Sequence, residues 1–272
     1  MRTSTILLSA LSATALAAPA LPKLNLGAAL PSDAIKDISE YFNLLAKKTQ
    51  EGRHMSGSPV CDLSVAQMPV DSPSTLPGVT SGLKLKHVAI GRGTQNYTCD
   101  TTDESAAPSA VGAVATLFNA SCIASTYPDL LNMLPRVALA FNLSESPDYL
   151  ANLLPASTAH TLAPGNYAIS GHHYFTNTTT PFFNLDTTNG QLGSIPCAKA
   201  ASVAAPTDAP TGQQGEEAVP WLKLQAREGA TGRLEEVYRL ETAGGSAPST
   251  CAGMPASFEV QYSAQYWFYE SP

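Results

Sequence analysis

Residues 219–269 leave the chain little choice of fold. They read VPWLKLQARE, then RLEEVYRLETAGGSAPSTC, then SFEVQYSAQYWFY, three apolar runs with turn residues between them. Leu222, Leu224 and Ala226 alternate with Lys223, Gln225 and Arg227, the period of two of a strand with one buried face. In 233–242, Leu234, Tyr238 and Leu240 share one face. Arg233, Glu235, Arg239 and Glu241 share the other, where opposite charges suit a solvated sheet surface. Phe258, Val260 and Tyr262 repeat the alternation, which Ser263-Ala264 is expected to end. Ala243-Gly244-Gly245-Ser246-Ala247-Pro248 is a loop, because Gly and Pro supply the dihedrals a turn needs. Strands at this spacing, with no helical period, predict a mostly β protein: a single antiparallel sandwich or barrel-like domain.

The start of the chain is not part of that fold. Arg2, the apolar run 6–16 and Ala15-Leu16-Ala17 have the order of an export signal, so 1–17 is read as a signal peptide removed in the mature, secreted protein. The apolar run is too short to span a bilayer, and WFYESP at the end is no lipid-anchor signal. Residues 18–60 form an N-terminal segment with one amphipathic helix over 33–50, capped by Ser32 or Asp33 and striped by Ile35, Ile38, Phe42 and Leu45. The β domain is expected over 61–270. Its upstream strands are 83–90, 94–99, 112–118, 166–175 and 181–185, with Gly91-Arg92-Gly93 as a turn or bulge. Residues 123–160 read as a helical insertion. Two similar stretches, 128–135 and 147–155, each start and stop at Pro, and together they cap one end of the sheet or form a lid over it. Residues 198–217, rich in Ala, Pro, Thr and Gln, are expected to be a flexible surface loop.

A net charge of −7, with 14% charged residues, gives no electrostatic footprint for nucleic acid and no polybasic cluster for an anionic membrane. Five cysteines, Cys61, Cys99, Cys122, Cys197 and Cys251, contain no C-x-x-C pair. In an exported chain they predict disulfides with one thiol left over, and spacing alone does not choose the connectivity. Sequons stand at Asn96, Asn119, Asn142 and Asn177, and Asn96 lies on the strand face opposite Tyr97, so a glycan there would project outward.

Sites of chemistry are sparse. His172 and His173 are adjacent on a strand, point to opposite faces and cannot easily share a metal, so one is expected outside and one hydrogen-bonded within. His173 is the preferred functional candidate of the two. Gly91-Arg92-Gly93-Thr94-Gln95-Asn96 follows a strand but precedes another, so no helix N-terminus is available to a pyrophosphate. There is no G-x-S-x-G and no H-E-x-x-H. Neither a cofactor nor a metal is called for. Trp221 falls on the polar side of its strand, where it either stacks on a sugar or packs under another element. Candidate binding residues are therefore His173, Trp221, Arg239 and Glu241. The expectation is a module that binds a glycan, a cell-wall component or a protein. The alternative is a hydrolase of unrecognised type with a pocket around His173, a carboxylate such as Glu241, and 123–155 as its cap.

The stretches LKHVAIGRGTQNYTC, GAVATLFNASC, GHHYFTNTTTPFFNL, AVPWLKL, VYRLETAGGSAPSTC and FEVQYSAQYWFY, in this order, resemble a secreted family of unknown function found in filamentous fungi and, in shorter form, in bacteria. Its fungal members are often labelled malate dehydrogenase, a label these residues do not support. The resemblance covers about 61–270 and places His173 at the family's G-x-H position. It implies Cys99–Cys251 as the first disulfide, Cys61–Cys122 as the second, and Cys197 as the free thiol. It carries no established catalytic residues.

Overall fold

The computed structural model describes residues 32–52, 61–69, 76–140, 169–188 and 190–272. The strands are β1 Lys84–Thr98, β2 Ser109–Asn119, β3 Ile169–Asn177, β4 Thr180–Thr187, β5 Gly190–Val203, β6 Trp221–Ala226, β7 Leu234–Gly244 and β8 Ser257–Glu270. They succeed one another in chain order round a closed antiparallel barrel. The closing pair, β8 on β1, runs from Lys84 opposite Glu270 to Thr98 opposite Ser257. The mostly β class stands, and its form is a barrel. Closure by the C-terminal strand leaves no edge to be protected.

Alternation then decides what fills the lumen. Ala89, Gly91, Gly93, Gln95 and Tyr97 of β1 face inward, opposite the larger Phe183, Tyr262, Tyr266 and Phe268. Small residues on one wall make room for rings on the other. A Cβ on Gly91 would run into the Tyr266 ring, and one on Gly93 would strike Ala115 of β2. Gly91-Arg92-Gly93 is thus neither turn nor bulge. It is the middle of one continuous strand, paired on both sides, and its glycines are there for packing. Ser263-Ala264 likewise does not end β8, because Ser263 Oγ donates to the Gly91 carbonyl at 2.9 Å and Ala264 sits opposite Gly91. The end of the lumen near Lys84 is apolar, with Leu117, Leu185, Ile195, Leu234 and Phe268. The end near Thr98 is polar.

Four helical pieces cover part of the outside: α1 Ser32–Gly52, a short 3-10 turn Leu63–Val65, α2 Ser121–Thr126 and α3 Pro128–Ala140. α3 lies on the outer face of β1, β7 and β8. There Gln265 Nε2 donates to Asn132 Oδ1 at 3.1 Å, and Arg92 Nε donates to the Ala138 carbonyl at 3.0 Å. Val88, Leu131, Trp221, Tyr238, Leu240 and Trp267 are buried in this outer layer. α1 rests on α3 through Lys48–Asp129 at 3.1 Å and Arg136–Asp37 at 3.2 Å. The apolar stripe of α1 is rotated from the expected one: Ile38 and Leu45 are half-buried, while Ile35 and Phe42 are exposed.

Other expectations need correction. α3 does not stop at Pro135 but runs on to Ala140: the burial of Val137, Leu139 and Ala140 offsets the missing N–H and the ring's clash with the preceding turn. The stretch 147–155 lies outside the described residues. The expected loop 198–217 begins as strand, with Ala198 opposite Gln225 and Val203 opposite Trp221. Its later part is tied down by backbone bonds, Gly212 N to the Glu216 carbonyl at 2.7 Å and Gly244 N to the Pro210 carbonyl at 2.9 Å.

Cys61 is bonded to Cys122, joining the N-terminal segment to α2, and Cys99 to Cys251, joining the end of β1 to the loop after β7. Cys197 is a free thiol inside the barrel, and burial pushes its pKa up to about 12, which makes it inert at neutral pH.

Candidate functional site

In the polar half of the lumen Gln95 and Tyr97 come from β1, His173 from β3, Arg239 from β7, and Tyr262 and Tyr266 from β8. Pairing fixes their order. Arg239 lies opposite Tyr266 and His173 opposite Phe183. The Tyr262 and Tyr266 hydroxyls share a hydrogen bond of 2.9 Å. Tyr97 donates to the Gly245 carbonyl at 2.8 Å and stacks on Phe258 with ring centres 5.5 Å apart. The Cys99–Cys251 disulfide holds the neighbouring loop in place.

His173 is stacked on Phe183, ring centres 4.1 Å apart, and its Nδ1 lies 3.0 Å from the Phe182 carbonyl. A carbonyl only accepts, so Nδ1 carries the proton and Nε2 keeps its lone pair. Among the described residues the ring makes its hydrogen bond through Nδ1. Burial brings the pKa of His173 down to about 4, partly opposed by the Phe182 carbonyl and reinforced by the Arg239 charge, so the ring is neutral at physiological pH. Tyr262 and Tyr266 are held above the usual phenol range, mainly by burial, and stay protonated.

Two groups in this cluster are not fully satisfied by the protein. Gln95 is only 8% exposed, and among the described residues its Nε2 makes no hydrogen bond of ordinary geometry, its amide meeting the Tyr262 phenol. Arg239 is 9% exposed, and its Nε and Nη2 both donate to the one Pro220 carbonyl, at 3.2 and 2.8 Å. Among the described residues no carboxylate lies within salt-bridge distance of it.

Of the residues singled out from sequence, His173 and Arg239 are brought together in the lumen. The expected solvated face is split: Arg233 and Glu235 are exposed, but beyond the register break Arg239 points into the barrel. Trp221 is 3% exposed within the outer apolar layer and cannot stack on a sugar; among the described residues its Nε1 has no partner. Glu241 sits at the mouth end of β7, half-buried, in the left-handed region at φ 47° beside a break in register. His172 is exposed on the opposite face from His173. Sequence reasoning does not single out Gln95, Tyr97, Tyr262 or Tyr266. Tyr262 and Tyr266 of β8 have a signal in the run YWFY, 266–269, aromatic on successive positions as in a strand buried on both faces, whereas Gln95 and Tyr97 of β1 have none. Asn119 and Asn177 are exposed and Asn96 is half-buried on the outer face; Asn142 lies outside the described residues. Among the described residues no group of three potential metal ligands occurs, and no helix is long and apolar enough to cross a membrane.

Residues 80–270 match the model of a family described as "Protein of unknown function (DUF3455)". That span is the whole barrel with its disulfide-tied mouth, without α1. No curated protein and no solved structure matches the chain.

Proposed function

We propose that this chain, which belongs to the family of proteins of unknown function DUF3455, is an exported, non-catalytic binding protein that takes a small organic ligand into the polar end of its barrel. The observation that carries the reading is Gln95 Nε2, a buried lumen donor that makes no hydrogen bond of ordinary geometry among the described residues, its amide meeting only the Tyr262 phenol. An unmet buried donor costs free energy that a ligand acceptor would recover, and eight-stranded barrels are of a size that side chains fill or that holds one small ligand. Two disulfides and the export signal agree with an oxidising compartment. In this reading the exposed sequons at Asn119 and Asn177 accept glycans. The ligand is a small sugar or other component of the extracellular medium, bound in the lumen rather than on an outer aromatic.

The hydrolase alternative finds less support. The groups against His173 are Phe175, Phe183, Tyr266 and the Arg239 cation, which form no nucleophile–base–carboxylate relay. The secreted, disulfide-intact protein should be stabilised against heat by members of a library of neutral and acidic sugars and small organic molecules. The stabilisation should be lost in Gln95→Leu, and chromogenic esters and polysaccharides should not be turned over. Turnover abolished by His173→Ala, or a library without a single stabilising compound, would overturn the reading.

A further inference from the structure

We propose that the ligand carries a carboxylate and that Arg239 is its counter-charge, with Gln95 Nε2 as a second donor. The proposal rests on the barrel being a ligand site, and it adds the chemical class.

The charges buried in this protein differ in how they are met. Lys223 lies 2.9 Å from Glu236. Arg92, under α3, spreads its donors over oxygens of Ala138, Gly93, Tyr262 and Gln261. Arg239 directs Nε and Nη2 to the single carbonyl of Pro220 and meets the Tyr266 phenol, and the remaining edge of its guanidinium has no acid to face among the described residues. A guanidinium carries five N–H donors in a planar fork, so donors remain unspent. The other groups that feel its charge are Tyr97, Tyr262, Tyr266 and His173. All are neutral at physiological pH, so among the described residues none of the groups that feel the Arg239 charge offsets it. A buried cation with no carboxylate at salt-bridge distance among the described residues, together with a buried amide that meets only the Tyr262 phenol, is complementary to one planar monoanion, for which the fork of Arg is the natural match. A dianion would leave a charge over. The walls are rings, Tyr97, Phe183, Tyr262 and Tyr266, so the remainder of the ligand is an organic ring or chain rather than an inorganic oxyanion. His173 Nε2 offers a lone pair to a hydroxyl on that remainder.

The test uses the full secreted protein and two matched pairs, galacturonate with galactose and benzoate with benzamide. Binding is read by calorimetry at low salt. The expected result is that the acid of at least one pair binds at least tenfold more tightly than its neutral partner. Preference within the sugar pair would mark an acidic sugar, and within the aromatic pair an aromatic acid. In Arg239→Met the preference should vanish while the neutral partner binds as before. If Arg239→Met does not fold, the comparison in the unaltered protein still decides, and Gln95→Leu should weaken the acid more than the neutral partner. Neutral compounds binding as well as their acids would overturn the carboxylate while leaving a ligand site. No binding by either pair or by any library compound would remove the ligand site itself.

Discussion

On the outer face of the barrel, Glu236 is where one substitution should loosen the most structure. Its Oε1 lies 2.9 Å from Lys223 Nζ, with side chains 3% and 6% exposed. The same carboxylate accepts the Thr80 hydroxyl at 2.5 Å and the Thr80 amide at 3.2 Å. Lys223 Nζ also donates to the Gly78 carbonyl at 2.7 Å, and the Tyr238 hydroxyl donates to the Pro77 carbonyl at 3.0 Å. The pair is thus a clasp that holds the segment before β1 against β6 and β7. Glu236→Ala leaves an ammonium in a nearly dry site with one carbonyl, and two Thr80 donors without an acceptor. Removing one partner of a buried pair typically costs about 3–5 kcal/mol. At about 2–4 °C per kcal/mol for a domain of this size, the melting temperature should fall by roughly 6–20 °C. Lys223→Met combined with Glu236→Leu removes both charges and should recover most of the loss. Thermal unfolding by circular dichroism, with disulfides intact, measures all of these variants. A fall below about 3 °C in Glu236→Ala, or a double variant no better than the single one, would refute the reasoning.

Acid should unfold the protein in two stages. His87 and His173 are both buried and neutral, with pKa values brought down to about 4, chiefly by burial. The unfolded chain takes up their protons near pH 6.5, so stability is complete above that value and is lost as the pH falls toward 4. At pH 5 the two together should cost roughly 4 kcal/mol, a fall in melting temperature of about 8–16 °C; an unchanged melting temperature would contradict their neutrality. Burial works against the Glu236 carboxylate, but Thr80 and Lys223 more than offset it, so its pKa is held below the usual range and its contribution is lost only below about pH 4. Cys99→Ser with Cys251→Ser opens a link between residues 152 apart in sequence and should cost about 2–5 kcal/mol, read as a lower urea midpoint; an unchanged midpoint would mean that the loop at the mouth is held by other contacts. Millimolar NAD or NADH should not raise the melting temperature, because Gly91–Gly93 is paired to strands on both sides and its amides do not converge on an anion. Micromolar binding abolished by Gly93→Ala would contradict that pairing.

The fold class was legible because period-two alternation is local: Leu222, Leu224 and Ala226 do face inward together, opposite Lys223 and Gln225. What alternation does not say is what covers the second face. Lys223, Trp221 and Arg239 each fall on the polar side of a strand in the sequence. Lys223 and Trp221 are covered by the segment before β1 and the α2–α3 layer, and Arg239 lies in the lumen. These are long-range facts, set by barrel closure and by helices far away in sequence. Leu234 shows the same limit within one strand. A register break between Leu234 and Glu236 turns Leu234 inward and shifts the parity, so Val237 and Arg239 face the lumen, while Tyr238 and Leu240 face out. Gly91 and Gly93 look like turn residues because glycine is most often that. Only the Tyr266 ring and Ala115, across the barrel wall, show the packing reason. His172 and His173 were separable from sequence because neighbours on a strand always face opposite ways. The company His173 keeps was not, since Arg239, Tyr262 and Tyr266 come from strands more than sixty positions away.

The two charged clusters answer different questions. The Lys223–Glu236 clasp is satisfied from within: each charge has its opposite, and the carboxylate also meets donors from Thr80. Its presence is explained by what it holds in place. The lumen cluster is not closed in this way. Filling the same space with apolar side chains would avoid burying Arg239 and Gln95 and would cost nothing in topology, since the eight-stranded ladder is made by backbone groups. Rings already line the neighbouring positions, so an apolar filling was sterically available. Stability therefore accounts for the clasp but not for Arg239, and a buried cation with spare donors at the mouth end of a closed barrel is better explained by what enters from outside. If that is so, the two should respond in opposite ways. Glu236→Ala should destabilise whether or not a ligand is present. Arg239→Met should leave the ligand-free protein at least as stable as before, within about 1 kcal/mol, because it removes an unmatched charge while keeping most of the volume. A loss in Arg239→Met as large as that in Glu236→Ala, measured without ligand, would make Arg239 a structural residue after all.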